Sequence, residues 1–182
     1  NEPVWPDGSN TRIKVENAES CCANTIYSVF VRQFGPGMKT RHRVEGESEA
    51  VSLLERTQYN VIPVSGKFRD LIRELDFIIG TMGFRIIQLL PIHPTPTVYA
   101  RMGRYGSPFA ALDFKDVDPA LAEFDRKTTP LDQFRELTDE VHKRNGRIFL
   151  DIPVNHTGWA SKLQVSHPEW FIRNADRSFK SP

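Results

Sequence analysis

The stretch Ile148–Thr157, with the sequence IFLDIPVNHT, decides the fold prediction for this chain. Its apolar first half is typical of a short buried strand, which we predict from Arg147 to Val154, and polar side chains cluster towards its end. Asp151, Asn155 and His156 lie within six residues of one another. Because α/β proteins place ligands and reacting groups at the carboxyl ends of their strands, this cluster predicts a functional site.

A well-marked helix precedes this strand. Thr129 is suited to the N-cap, Pro130 to the first helical position, and Asp132 to the acidic position of a capping box. The pair Asn145-Gly146 is expected to end the helix. Its buried stripe is predicted to comprise Phe134, Leu137 and Val141.

Two further segments predict strands nearer the amino terminus. Thr25–Arg32 is rich in β-branched and aromatic residues, and Phe84–Pro91 is almost continuously apolar, as in strands buried on both faces of a parallel sheet. Between them, apolar residues at helical spacing predict a helix from Gly66 to Gly80. Three strands that alternate with helices predict βαβ units, an α/β fold and a parallel sheet.

The remaining segments suggest the domain organisation. Residues 1–24 are interpreted as a linker or the tail of a preceding domain, and residues 25–157 as the α/β domain. A charged insertion at 38–66 is expected to contain a short helix between Glu47 and Arg56. Residues 158–182, aromatic and polar without a clear period, are expected to leave the sheet.

Composition excludes several classes of protein. The chain has 182 residues, 39% of them hydrophobic and 26% charged, with a net charge of +1, which favours neither nucleic acid nor an anionic membrane as a partner. Its apolar runs are too short to span a bilayer. Cys21-Cys22 is interpreted as two inert thiols in a reducing compartment. The chain starts at Asn1 rather than at methionine and ends in a polar stretch without a terminating element, so both ends are interpreted as cut. No signal peptide is evident, which favours the cytoplasm.

The cluster after the third predicted strand has two interpretations. A carboxylate and an imidazole at a strand end suit recognition of a polyhydroxylated ligand, because each forms directional hydrogen bonds with hydroxyls. Alternatively, Asp151 caps local backbone amides and His156 is a satisfied buried histidine. A zinc site is disfavoured because His142 lies within the predicted helix and no pair of histidines has metal-ligand spacing.

The Asp-x-x-x-Asn-His pattern at the end of the third strand resembles the first signature region of the α-amylase family of glycoside hydrolases. The resemblance covers about residues 25–160 in order and spacing. Ile26–Phe34 is similar to the family's first strand and Gly83–Pro91 to its second strand. Gly106–Phe114, with Val117–Pro119, resembles the segment that enters the sugar site. His142–Asp151 resembles the join between the helix and the third strand.

The resemblance implies a fold and a set of site residues. The implied α/β fold is an incomplete (β/α)₈ TIM barrel that comprises the first three β/α units. The start of the family's inserted domain is expected after strand 3. His156 is implied to bind sugar hydroxyls, and Asp151 to be a buried residue that holds neighbouring catalytic groups in place. Asn155 matches a structural calcium ligand in many members. Phe109 stands where the family has a sugar-stacking tyrosine, with Pro108 and Ala110 departing from the family pattern.

The function implied is that of a retaining enzyme that acts on α-glucans or maltooligosaccharides. The family's three catalytic carboxylates follow strands four, five and seven, so none is expected in this chain, and the chain alone is expected to be inactive. Alternatives are a transglycosidase or isomerase of the same family and a non-catalytic domain that binds glucan or a partner protein. A further alternative is an interaction piece that completes its sheet with a second copy or with another chain. Linkage, calcium dependence and oligomeric state are left open.

Overall fold

A computed structural model describes residues 25–35, 53, 56, 65–97, 102 and 105–181. Its centre is a parallel three-stranded sheet in the order β1 (Ile26–Val29), β2 (Ile86–Leu89) and β3 (Arg147–Leu150). The predicted parallel sheet is therefore confirmed. The predicted linker 1–24, with its two cysteines, and all but two residues of the predicted helix between Glu47 and Arg56 lie outside the described residues.

All three strands are shorter than predicted. The first was expected to reach Arg32, but the chain turns after β1 into a 3₁₀ helix, Val31–Gln33. The third was expected to continue to Val154, and β3 ends at Leu150. The Asp151 amide still donates to the Leu89 carbonyl (2.9 Å), but Pro153 has no amide hydrogen with which to extend the ladder.

Two helices connect the strands. The first, α1 (Phe68–Leu75), continues as a π-helical segment, Asp76–Thr81, and the second is α2 (Pro130–Lys143). The capping box of α2 forms as predicted: the Asp132 amide donates to Thr129 Oγ1 (3.1 Å), and the Thr129 amide donates to Asp132 Oδ2 (3.0 Å). The two helices pack against each other, and α2 also packs against β3.

The core lies between the sheet and these helices. Its completely buried side chains are Phe68, Leu71, Leu75, Ile87, Leu89, Leu137 and Val141. The outer strand β3 is less covered, because Phe149 is 46% exposed and Leu150 41%. Ile152, just beyond it, is 47% exposed. The sheet therefore has an uncovered apolar side at β3.

Residues 158–181 lie outside the three-stranded sheet. They form a short helix, α3 (Lys162–Ser166), a 3₁₀ helix, Pro168–Trp170, and an isolated antiparallel bridge between Arg173 and Phe179. In the described part of the chain, no helix combines the length and the apolar content needed to cross a membrane.

Candidate functional site

The residues after β3 reach the carboxyl edge of the sheet. Asp151 and His156 are half-buried, and Asn155 is exposed. Asp151 was predicted to be buried, so its exposure is greater than expected; the open side at β3 leaves its side chain partly accessible to water. Asn155 Oδ1 lies 2.8 Å from His156 Nδ1. With the amide oxygen as acceptor, this contact fits the tautomer that carries its proton on Nδ1 and leaves Nε2 as an acceptor for an approaching hydroxyl.

Phe109 lies on a different segment, in a turn of the connection between β2 and α2. Its amide donates to Ser107 Oγ (3.3 Å), and its ring is 36% exposed. Behind it, Ala110 and Ala111 are buried. The turn therefore presents an accessible aromatic side chain from a well-packed base.

Hydrogen bonds join the segment of Phe109 to the segment of His156. The Gly158 amide donates to the Ala111 carbonyl (2.8 Å), so the contact lies two residues from each predicted sugar-binding side chain. The Leu112 carbonyl accepts from the Lys162 amide (2.9 Å) and from Ser161 Oγ (3.1 Å). The structure thus brings together two loops that are distant in sequence.

This contact needs glycine at position 158. A Cβ atom placed on Gly158 would lie 2.4 Å from the Ala110 carbonyl oxygen, well inside van der Waals contact. Any larger residue would have to push the two segments apart.

An ion pair between Lys162 and Asp113 reinforces the same junction. Asp113 also accepts from the Lys115 amide (2.9 Å). The hydrogen bond from Lys162, together with that amide, holds the pKa of Asp113 below its ordinary value, and the same pairing raises the pKa of Lys162. Asp113 is therefore a carboxylate at neutral pH and is committed to the structure of the junction.

A groove of about 640 Å³ opens beside His156, within the size range of small-ligand sites. His156 and Asn155 contribute polar groups to it, while Asp151 and Phe109 lie outside it. Its apolar wall comprises Phe114, Ile152, Val154, Trp159, Trp170, Phe171 and Phe179, among others. Aromatic walls with a few polar groups suit a ligand that has both apolar faces and hydroxyls.

The described residues offer little to a metal ion. They contain no group of three or more His, Cys, Asp or Glu side chains that could hold one. Asn155 has a carbonyl oxygen of the kind calcium prefers, but that oxygen is engaged with His156. Asn155 as a calcium ligand stays a prediction.

Sequence reasoning missed Arg32. Its side chain is only 11% exposed and forms an ion pair with Asp118, which is 9% exposed. The only signal in the sequence was a cation that interrupts an apolar strand pattern close to its carboxyl end, where buried charges need partners.

Comparisons with known proteins support the family resemblance. No family model matches the chain. The probable oligo-1,6-glucosidase 2 of Bacillus subtilis is 35% identical over 106 residues, which are 58% of this chain and 15% of that protein. The α-amylase SusG of Bacteroides thetaiotaomicron is 32% identical over 120 residues, 64% of this chain and 13% of SusG.

Solved structures agree in fold. The crystal structure of an α-amylase from Lactobacillus plantarum matches with a TM-score of 0.63 and 30% identity, over 87% of this chain and 29% of that one. The maltogenic α-amylase AmyB of Thermotoga neapolitana matches with a TM-score of 0.58 and 25% identity, over 84% and 28%. This chain therefore spans less than a third of the length of each of these relatives.

The parallel sheet, with its polar cluster at the carboxyl edge, defines an α/β protein whose structural counterparts are α-amylases. The chain is related in sequence and in fold to the α-amylase family of glycoside hydrolases.

Proposed function

We propose that this chain forms the first three β/α units of the (β/α)₈ barrel of a retaining glycoside hydrolase that acts on α-glucans. The observation that carries the proposal is the junction between the segments of Phe109 and His156 at the carboxyl edge of the sheet, formed through Gly158 and Ala111. In barrels of this kind the active site is built from the loops at that edge. The named relatives, amylases and an oligo-1,6-glucosidase, favour an α-glucan over other polyhydroxylated ligands.

The side chains at this edge would form one wall of a sugar-binding cleft. His156 would accept a hydrogen bond from a sugar hydroxyl through Nε2, since Nδ1 is held by Asn155. The ring of Phe109 would pack on a pyranose face without the hydroxyl that a tyrosine would add. The half-buried Asp151, fixed by its amide to β2, would orient neighbouring catalytic groups.

Calcium would not enter the chemistry of this wall. Asn155 offers one suitable oxygen, and the described residues contain no group of three or more His, Cys, Asp or Glu side chains that could hold a metal ion. We therefore propose a structural ion at most, and every role assigned above belongs to side chains of the chain itself.

Cleavage of a glycosidic bond needs two positioned carboxyl groups, one as acid and the other as nucleophile or base. We place both outside this chain, after the later strands of the barrel, where the resemblance to the family implies them; within the chain, the carboxylate of Asp113 is already paired with Lys162. The 182 residues alone would then bind sugar weakly and cleave nothing. Hydrolysis, transglycosylation and isomerisation would differ through parts of the protein outside this wall.

The test compares two proteins, the 182-residue chain and a longer protein that contains it. Each is incubated with maltoheptaose, and the first-formed anomer is followed by proton NMR. The longer protein is expected to release products with retained configuration, and the 182-residue chain to release none. Turnover by the short chain would overturn the assignment of the catalytic groups. Glucan binding without turnover by the longer protein would instead support a non-catalytic domain.

A further inference from the structure

We propose that Arg32 is a positioning residue that holds the Phe109 segment over the carboxyl edge of the sheet. This role rests on the proposed function, since it gives Arg32 a part in the geometry of the sugar-binding wall. Arg32 lies in the 3₁₀ helix that follows β1, far in sequence from Phe109 and His156.

Arg32 follows β1 and contacts three segments of the chain. Its guanidinium donates to the Tyr105 carbonyl, to Thr95 Oγ1 (3.3 Å) and to the carboxylate of Asp118. These partners lie 63 to 86 residues away in sequence. One side chain therefore joins the end of β1 to both ends of the segment that carries Phe109.

Further contacts fix both of these ends. The Tyr105 ring packs edge-on against Phe30, with centroids 6.1 Å apart. Asp118 Oδ1 accepts from the Ala120 amide (2.8 Å) and so caps the 3₁₀ helix Pro119–Leu121. Phe109 thus lies on a stretch that is fixed at Tyr105 and at Asp118, and Arg32 contacts both of these residues.

The surroundings of Arg32 show that it is not a ligand-binding cation. The cavity beside it measures about 10 Å³, the space of about one water molecule. The neighbouring carboxylate of Asp118 already neutralises its charge. Among the described residues this cavity is too small for a sugar or a phosphate, so we assign any effect of Arg32 on a ligand to the segment that it holds.

Arginine suits this role better than lysine. A planar guanidinium presents five N–H donors in fixed directions and can bridge acceptors on separate segments, whereas an ammonium is a compact point charge on a flexible stem. Arg32→Lys is therefore expected to keep the ion pair with Asp118 and to lose the bond to the Tyr105 carbonyl or to Thr95.

The test uses the longer protein that contains this chain and compares Arg32→Met and Arg32→Lys with Arg69→Met. Arg69 is a matched control because it also bridges distant segments, through Glu136 (2.9 Å) and Asp125 (3.3 Å), but contacts no part of 105–113. Thr95→Val is a milder variant that removes one partner of Arg32 and leaves the ion pair in place. The readouts are kcat and KM for maltoheptaose, the melting temperature, and hydrogen exchange of residues 105–113.

Both Arg32 variants are expected to lower kcat/KM by about 10- to 100-fold, as misplacement of a binding group does, and to speed exchange in 105–113. Thr95→Val should move both readouts in the same direction by less. Arg69→Met should lower the melting temperature but leave kcat/KM and exchange in 105–113 at wild-type values.

The proposal is overturned if Arg32→Met and Arg32→Lys lower only the melting temperature, as Arg69→Met does. Should the wild-type protein show no activity on α-glucans, the proposed function fails. The exchange comparison would then still decide whether Arg32 holds the segment: unchanged exchange in 105–113 contradicts the role.

Discussion

At the scale of single residues, Gly158 lies at the contact between the two loops of the candidate site. Because a Cβ there would lie 2.4 Å from the Ala110 carbonyl oxygen, Gly158→Ala should separate the loops. We expect it to lower the free energy of unfolding by about 1–3 kcal/mol, the usual cost of overpacking, measured by urea denaturation.

Gly80→Ala is the matched control for this substitution. Gly80 lies in the π-helical segment, and no atom from outside its own helical backbone lies within 4 Å of a built Cβ, so alanine there should be neutral or stabilising. Equal effects of the two substitutions would show that Gly158 is not constrained by the junction.

The Asp113–Lys162 pair predicts a pH dependence. The pKa of Asp113 lies below its ordinary value of 3.8, so the stabilisation is present above that value and is lost as the pH falls through the lower, folded value. Asp113→Asn should therefore lower the melting temperature at pH 6, and the difference from wild type should shrink in acid. Lys162→Met should give the same profile; a pH-independent difference would contradict the assignment.

Some residues of the site could be predicted from the sequence, and others could not. Asp151, Asn155 and His156 were predictable because they share one short stretch at a strand end, so their proximity needs no tertiary information. Arg32 was not, because its partners lie up to 86 residues away and only the folded chain brings them together. For the same reason, Gln133 was missed: this completely buried side chain donates to the Glu123 carbonyl (2.8 Å) and accepts from the Glu123 amide (2.8 Å).

At the scale of elements, α2 depends on a local start signal. Thr129→Ala removes the hydroxyl that accepts from the Asp132 amide and should lower the free energy of unfolding by about 0.5–2 kcal/mol. Thr129→Ser keeps the acceptor and should remain close to wild type in thermal denaturation. If serine is as destabilising as alanine, the cap is not the cause.

Element boundaries show the same contrast between local and distant causes. The start of α2 was predicted to the residue, because the capping side chains are adjacent in sequence. The strands were predicted too long, because their ends depend on partners: β1 gives way to a turn whose Arg32 is drawn towards Asp118. The π-helical continuation of α1 has no counterpart in the periodicity of the apolar residues.

At the scale of the whole molecule, the exposed apolar side chains of β3 agree with the proposal that this sheet is part of a larger one. Phe149 and Leu150 are nearly half exposed, whereas Ile87 and Leu89 on β2 are completely buried. The solved relatives are more than three times as long as the part this chain matches. Further strands would cover these side chains and complete the cleft at the carboxyl edge.

The most direct test of the sugar-binding wall is the maltoheptaose kcat/KM of the longer protein with His156→Ala, compared with His142→Ala. His142 is a matched control because it is exposed in the last turn of α2, just before the amino end of β3. Loss of an ordinary hydrogen bond to a hydroxyl, about 0.5–1.5 kcal/mol, predicts a decrease of about 2- to 12-fold for His156→Ala. The same kcat/KM for His156→Ala as for His142→Ala would contradict the sugar-binding wall.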